Sequence, residues 1–200
     1  MKRRYAMFAP GHFAIDAKTA HGVIAYGSDE TVAVIDPAGA GKKVSEVLPH
    51  LHSDAPIVAS VAEALRYEPT ALLIGTAPRG GTLPADWRGE ILAAIAAKLE
   101  IVSGLHDMLG EDAELAAAAR RAGVTIWDVR KPPEVPLFSG AVYRVAAPTL
   151  LLVGNDCSVG KMTVALELCR AAQHAGAKAA FVPTGQTGIM IAGWGSRSIA

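Results

Sequence analysis

The sequence has few cysteines, no net charge and no long apolar run, and each absence excludes a class of protein. Only two of its 200 residues are cysteine, so we expect no disulfide framework and a cytoplasmic, reducing location. Lysine plus arginine and aspartate plus glutamate both number 19, which predicts neither a nucleic-acid nor an anionic-membrane partner. The longest apolar runs have about seven residues, against the roughly 20 that cross a bilayer.

What the sequence does contain is typical of an α/β fold. A hydrophobic content of 51% is enough for a substantial core. Short runs rich in valine and isoleucine alternate with helical patterns, which favours parallel sheets covered on both faces. The predicted strands are residues 31–36, 56–60, 71–75, 100–103, 124–129, 149–154 and 179–183. The predicted helices are residues 42–51, 61–67, 87–98, 111–122 and 161–175.

Prolines mark a boundary between two predicted domains. Four prolines and one glycine interrupt regular structure there: Pro132, Pro133, Pro136, Pro148 and Gly140. We predict a Rossmann-like parallel-sheet domain over residues 1–135, a Pro-rich linker over 136–148, and the start of a P-loop NTPase-like α/β domain over 149–200. The second domain has two predicted strands and one helix, so we expect it to be truncated at residue 200.

A glycine-rich loop follows the apolar run 149–154 and precedes a helical pattern. This order is typical of a phosphate-binding loop, in which backbone N–H groups and a lysine hold phosphate. Five residues separate the two loop glycines instead of the standard four, and Met162 takes the usual Ser/Thr position. The residues predicted to bind a phosphorylated cofactor are Gly154, Asn155, Asp156, Cys157, Ser158, Val159, Gly160, Lys161, Met162 and Thr163.

Two questions about this loop stay open in the sequence. The alternative to phosphate binding is a tight strand-to-helix turn that carries a surface lysine. Cys157 is either a thiolate stabilised by the helix N-terminus or simply a small loop residue. No acidic residue for Mg²⁺ is visible at a later strand end.

Three further polar loops each follow a predicted strand, over residues 77–84, 104–107 and 130–133. Ligands of open parallel sheets bind outside the carboxyl ends of the strands, so we expect these loops to share one site with the phosphate loop. The site suits a small anionic substrate and a phosphorylated cofactor, because it gathers cationic residues. These are Arg79, His106, Arg130, Lys131 and Lys161.

Catalytic roles are predicted for His106 as a general base and for Arg79 and Arg130 as anion-binding groups. The alternatives are a capping or buried structural histidine, a surface charge and a linker salt bridge. Gly80 and Gly81 allow the backbone to approach the substrate closely, and Lys131 adds a positive charge.

Other polar residues are weaker candidates. Gly11 and His12 lie in the first loop, and 39–43 only superficially resembles a phosphate motif. His50 and His52 have no cysteine partner, so we predict no metal site.

Two resemblances refine this interpretation. Residues 154–161 and 182–188 resemble the first two loops of dethiobiotin-synthetase-type P-loop proteins, although the lysine of the second loop is absent. Nearly the whole chain resembles a two-domain bacterial family that includes D-glutamate N-acetyltransferases. The segments that carry this second resemblance are residues 78–84, 104–107, 128–133, 155–163 and 184–188.

The second resemblance implies an N-acetyltransferase that moves an acetyl group from acetyl-CoA to an acidic amino acid, with D-glutamate implied. It also implies that Gln186 and Thr187 bind substrate. The first resemblance implies the alternative, an ATP- and Mg²⁺-dependent ligase or kinase-like enzyme acting on a carboxylate. A non-catalytic nucleotide-binding regulatory protein is the third hypothesis. We expect a homo-oligomer with a small-molecule anionic substrate and with no nucleic-acid or membrane partner.

Overall fold

Six parallel strands form one sheet in the part of the chain that the computed structural model describes, residues 2–131, 140–156 and 159–195. The strands are β1 (Arg4–Phe8), β2 (Glu30–Ile35), β3 (Ile57–Val58), β4 (Ala71–Ile74), β5 (Glu100–Ser103) and β6 (Ile126–Asp128). Their spatial order is β3-β2-β1-β4-β5-β6. The order reverses between β1 and β4, and this reversal is the Rossmann arrangement. The prediction of a Rossmann-like parallel sheet is confirmed.

Helices connect the strands and continue beyond the sheet. They are α1 (Lys18–Tyr26), α2 (Val44–Val47), α3 (Val61–Ala64), α4 (Arg88–Ala96), α5 (Ala113–Ala122), α6 (Lys161–His174) and α7 (Gln186–Ala192). Within the described residues, none of these helices combines the length and the apolar character needed to cross a bilayer.

The bounds of α5 show how local sequence sets a helix. The Asp112 carboxylate accepts hydrogen bonds from the backbone N–H groups of Glu114 and Leu115, which caps the first turn. Gly123 ends the helix with a φ of 70°, a left-handed conformation that favours glycine.

The core has two layers, one on each face of the sheet. Successive strand residues point to opposite faces, so Met7 and Leu73 join one cluster while Phe8 and Leu72 join the other. Residues of α1, α6 and α7 pack on the first face, and residues of α3, α4 and α5 pack on the second. The segment after residue 160 therefore contributes Leu166 and the 189–191 run to the same cluster as the Rossmann-like sheet.

Two predicted strands are wrong. Residues 149–154 and 179–183 form no strand in the described part of the chain. Leu150, Leu151 and Val153 are 72%, 75% and 78% exposed. A run of apolar residues becomes a strand only when a neighbouring strand pairs with its N–H and C=O groups. Among the described residues, no strand pairs with either of these runs.

Three elements were not predicted: β1, α1 and α7. The last two each contain a glycine, Gly22 and Gly188, which lowers the helical signal. The same glycines allow close packing. A β-carbon at Gly22 would lie 3.1 Å from Thr187 Cγ2, so tertiary contact between α1 and α7 outweighs helix propensity.

Candidate active site

Three neighbouring strands bring their following loops to one edge of the sheet. β4 pairs with β1 on one side and with β5 on the other, all in parallel. The loops that follow these strands therefore emerge side by side at the carboxyl edge, where the strand order reverses. This is the place at which open α/β sheets bind ligands.

The loops after β4 and β5 are joined by hydrogen bonds. The His106 N–H donates to the Gly81 carbonyl at 2.8 Å, and the Leu83 N–H donates to the Asp107 carboxylate at 2.8 Å. The His106 ring lies against Gly81, whose φ is 68°, and any β-carbon there would collide with the ring. The two loops therefore hold His106 at the edge of the sheet, where it is exposed.

Arg79 and Gly80 lie in the same loop as Gly81. The backbone of Arg79–Gly81 forms a short 3₁₀ turn, and Gly80 has a φ of 84° that favours glycine. The side chain of Arg79 lies outside the described part of the structure, as do Cys157 and Ser158.

Arg130 reaches the loop that follows β5. Its Nε donates to the Gly104 carbonyl at 2.8 Å, and burial lowers the pKa of the guanidinium. A β-carbon at Gly104 would lie 2.9 Å from Gln186 Cγ and 3.0 Å from Met190 Cε. Arg130, Gly104 and Gln186 therefore converge, so the structure brings the start of α7 to the sheet edge.

Thr187 contacts another helix. Its hydroxyl is buried and lies 2.9 Å from the Thr19 hydroxyl of α1, with the two residues 5% and 8% exposed. The structure gives Thr187 a packing contact, and its predicted substrate contact stays a prediction.

Lys131 lies on the surface. Its Nζ is 3.1 Å from the Glu111 carboxylate, and both side chains are about 60% exposed. Exposed ion pairs of this kind contribute little to stability.

The phosphate loop folds over its own lysine. Lys161 opens α6, and its Nζ donates to the carbonyl oxygen of Asp156 in the same loop. A β-carbon at Gly154 would lie 3.0 Å from Val159 Cγ2 and 3.1 Å from Lys161 Cδ, so the loop wraps tightly. The first N–H groups of a helix have no acceptor within the helix, which leaves this end suited to an anion.

Met162 and Thr163 face different surroundings. The Met162 methyl lies 3.5 Å from the position that a β-carbon on Gly22 of α1 would take. Thr163 is exposed. Asn155 and Asp156 are also exposed, while Gly160 begins the helix with a φ of 93°. The Thr163 hydroxyl, which could bind Mg²⁺, lies one residue beyond the standard Ser/Thr position, and Met162 occupies that position.

Two buried carboxylates that were not predicted hold the loops. Asp36 Oδ1 accepts from Gly11 N–H at 2.8 Å and from Ala38 N–H at 3.1 Å, directly after β2. Asp128, at the end of β6, accepts from two consecutive N–H groups, those of Leu109 and Gly110. Burial raises the pKa of Asp128, and the two donated hydrogen bonds oppose that rise. In the sequence, both residues are acidic and end an apolar run, and this pattern could have identified them as candidates.

The loop after β1 carries a histidine and a carboxylate in contact. His12 Nδ1 lies 2.7 Å from Asp16 Oδ1. The His12 ring meets the Trp87 ring edge-on, with 6.4 Å between the centroids. Among the described residues, no group of three or more His, Cys, Asp or Glu side chains is placed to hold a metal ion.

Two family models match the chain. Residues 37–132 match "Domain of unknown function (DUF1611_N) Rossmann-like domain", and residues 136–198 match "Domain of unknown function (DUF1611_C) P-loop domain". The chain is also similar to the crystal structure of a DUF1611 family protein from Anabaena variabilis. The two structures have a TM-score of 0.90 and 38% identity, and the match covers 97% of this chain and 57% of that one.

Two curated relatives are each named D-glutamate N-acetyltransferase. The protein from Tritonibacter scottomollicae is 42% identical over 125 residues, 62% of this chain and 37% of that protein. The protein from a Pseudoalteromonas species is 37% identical over 136 residues, 68% of this chain and 41% of that protein. The chain therefore spans about two fifths of the length of these relatives. With both of its domain models matched in order, the chain belongs to the DUF1611 family, a Rossmann-like domain followed by a P-loop domain.

Proposed function

We propose that this chain is part of an N-acetyltransferase that moves an acetyl group from acetyl-CoA to the amino group of D-glutamate. The observation that carries the proposal is its identity of 42% and 37% to two proteins named for that activity. The chain spans about two fifths of each relative, so the proposal concerns the activity of the whole protein.

Residues at the carboxyl edge of the sheet can bind the carboxylate of an acidic amino acid and accept a proton from its ammonium group. Arg130 is half-buried beside Gly104, where a guanidinium binds a carboxylate more strongly than it does in open water. The substrate ammonium must lose a proton before it can attack a thioester, and an imidazole can accept that proton near neutral pH. His106 is the base predicted from the sequence, and its loop is held to the β4 loop by two hydrogen bonds.

The phosphate loop fits the phosphates of coenzyme A. Lys161 and the N-terminus of α6 supply a point charge and backbone donors, and neither requires a metal ion. Met162 occupies the position at which a Walker loop places its Mg²⁺-binding hydroxyl, and it packs toward α1. The donor set therefore favours a phosphate ligand that binds without Mg²⁺.

An ATP-dependent ligase or kinase-like enzyme is the second candidate. The match to a P-loop domain model favours it, because such loops commonly bind nucleotides. In such an enzyme, the hydroxyl of Thr163, which is exposed in the first turn of α6, would bind Mg²⁺.

The test is an assay of the protein with acetyl-CoA and a panel of D- and L-amino acids, followed by mass spectrometry. We expect N-acetyl-D-glutamate without added ATP. Product that forms only with Mg-ATP, or no acetylated product at all, contradicts the proposal. Thermal-shift measurements with acetyl-CoA and with Mg-ATP compare the two cofactors directly.

Arg130→Ala tests the anion-binding role. We expect the KM for D-glutamate to rise more than the KM for acetyl-CoA. Arg144→Ala is the matched control, because Arg144 lies exposed in the 3₁₀ turn Ala141–Arg144. An unchanged KM for D-glutamate in Arg130→Ala removes this contact from the proposal.

A further inference from the structure

We infer that His12 is the proton acceptor of the acetyl transfer and that Asp16 positions it. This inference rests on the proposed function and names the base within the same site. The sequence alone favoured His106 as the base, but the contacts around the two imidazoles favour His12.

The hydrogen bond between the two side chains determines where the His12 proton lies. An ionised carboxylate only accepts hydrogen bonds, so at 2.7 Å the hydrogen between the two groups is carried by His12 Nδ1. In the neutral ring, Nε2 then holds the lone pair. A histidine with this tautomer and a carboxylate behind it is suited to take a proton from an ammonium group.

The backbone of the loop holds the pair in place. The His12 carbonyl accepts from the N–H groups of Ile15 and Asp16, each at 3.0 Å, and from that of Ala17 at 3.2 Å. This compact turn brings the Asp16 carboxylate within hydrogen-bond distance of His12 Nδ1. Gly11, with a φ of 74°, is tied to the buried Asp36 carboxylate. The preceding part of the loop is therefore also fixed.

An aromatic contact orients the ring from the other side. Trp87 is 5% exposed and stacks edge-on against Phe8, whose ring centroid is 5.3 Å away. The His12 ring meets the same Trp87 edge-on. The imidazole thus meets one aromatic ring of the core, while the His12 side chain keeps 35% of its surface exposed.

The position of the pair in the fold matches the expected ligand site. His12 follows β1, and Trp87 follows the loop after β4, so they meet where the strand order reverses. The segment from Gly81 to Trp87 touches both imidazoles, His106 through Gly81 and His12 through Trp87. In the described part of the chain, no carboxylate lies within ion-pair distance of His106, whereas Asp16 contacts His12.

The proton balance of the step is complete. His12 Nε2 takes one proton from the substrate ammonium, and the neutral amine attacks the thioester carbonyl carbon. The C–N bond forms and the C–S bond breaks. The second N–H proton goes to the departing thiolate, and His12 returns its proton to water. The products are the amide, the thiol and one proton.

His12→Ala and Asp16→Asn test the two roles in the assay described above. We expect His12→Ala to lower kcat/KM by roughly 10²- to 10⁴-fold, the range for general base catalysis, and added imidazole to restore part of it. We expect Asp16→Asn to lower kcat with little change in KM, and Asp16→Glu to recover some activity. His174→Ala, at the exposed end of α6, is the control and keeps wild-type activity.

Two measurements do not depend on turnover. ¹⁵N NMR of the wild type is expected to show His12 as the Nδ1–H tautomer, and Asp16→Asn is expected to reduce that fraction. D-Glutamate is expected to slow acylation of His12 by diethyl pyrocarbonate and to leave His174 unaffected.

The outcomes separate the two proposals. A wild type that makes no N-acetyl-D-glutamate overturns the proposed function and this inference with it. An active wild type with an equally active His12→Ala overturns the inference alone. The inference is also overturned if D-glutamate gives no protection at His12 or if imidazole gives no rescue.

Discussion

The sheet region, residues 2–131, and the segment 140–195 contain similar apolar runs in different surroundings. Leu72, Leu73 and Ile74 of β4 are at most 2% exposed, between strands on both sides. Leu150, Leu151 and Val153 are at least 72% exposed and form no strand. The comparison teaches that apolar composition alone does not form a strand, because the backbone groups must also be paired.

One element of the second segment resembles the first region. In α7, Ile189, Met190 and Ile191 are 4–7% exposed and belong to the cluster that covers the sheet. Burial therefore differs within the second segment, between the exposed residues 149–154 and the buried face of α7.

Hydrogen exchange is expected to show the largest difference between the two regions. Amides of β4 are expected to exchange slowly, while residues 149–154 and 177–184, which lie outside strands and helices, exchange fast. We expect α7 to be protected like the sheet, because its apolar residues are buried. Equal protection of β4 and residues 149–154 in a monomer would break the comparison.

Matched leucine truncations measure the same contrast as stability. Leu73→Ala is expected to lower the free energy of unfolding by about 2–5 kcal/mol, because it leaves a cavity in the core. Leu151→Ala removes the same atoms from a residue that is 75% exposed, and we expect a change within about 0.5 kcal/mol. Urea denaturation compares the two, and similar losses would show that Leu151 is buried in solution.

Lys161→Ala tests the phosphate loop without disturbing the sheet. We expect coenzyme A binding to weaken by about 1.5–3 kcal/mol, the range for a hydrogen bond to a charged group. Folding should be nearly unchanged, because among the described residues the Lys161 ammonium bonds to the Asp156 carbonyl of its own loop and to no other element. Equal affinity of the wild type and the variant in calorimetry removes the phosphate-loop assignment.

The buried hydroxyl pair tests how α7 is held on α1. Thr187→Val leaves the Thr19 hydroxyl buried without this partner, at a cost of about 1–3 kcal/mol in unfolding free energy. The double variant with Thr19→Val is expected to lose less than the sum of the two single variants, since neither hydroxyl then remains unpaired. Additive losses in this cycle would show that the two hydroxyls do not interact.

Acid titration of Asp112 is expected to give the smallest effect. A hydrogen bond from Arg88 lowers the pKa of Asp112 from 3.8 to about 2. A lowered pKa in the folded state adds stability above pH 4, and that stability is lost as the pH falls toward 2. Asp112→Asn keeps a capping side chain but loses the charge, so its Tm should fall slightly at pH 7 and match the wild type near pH 2. A constant difference at every pH contradicts this assignment.

Sequence periodicity predicted most of the sheet. Five of the six strands, β2 to β6, lie within one or two residues of their predicted bounds, because buried parallel strands are short apolar runs between helices. The start of the helix after the glycine-rich loop also follows from the sequence, since Gly160 and Lys161 open α6 as predicted. For Gly81 and His106, the sequence predicted only that their two loops lie at the same edge of the sheet. It did not predict that the two residues touch.

Other features depended on residues far apart in the chain. The absence of a strand at residues 149–154 could not be predicted from composition, because a strand forms only beside a neighbouring strand. The place of α7 depends on Gly22 and Gly104, which let it approach α1 and the β5 loop. The contact between His12 and Trp87 joins residues 75 positions apart, and only the strand order brings their loops together.

Local sequence thus determined the alternation of strands and helices, the start of α6 after the glycine-rich loop and the helix caps, because hydrophobic period and backbone preference act over a few residues. The tertiary structure decided which apolar runs pair, where α7 docks and how His12 meets Trp87 at the edge of the sheet. Those features depend on the order in which the strands pair, and strand pairing joins residues that no local pattern connects.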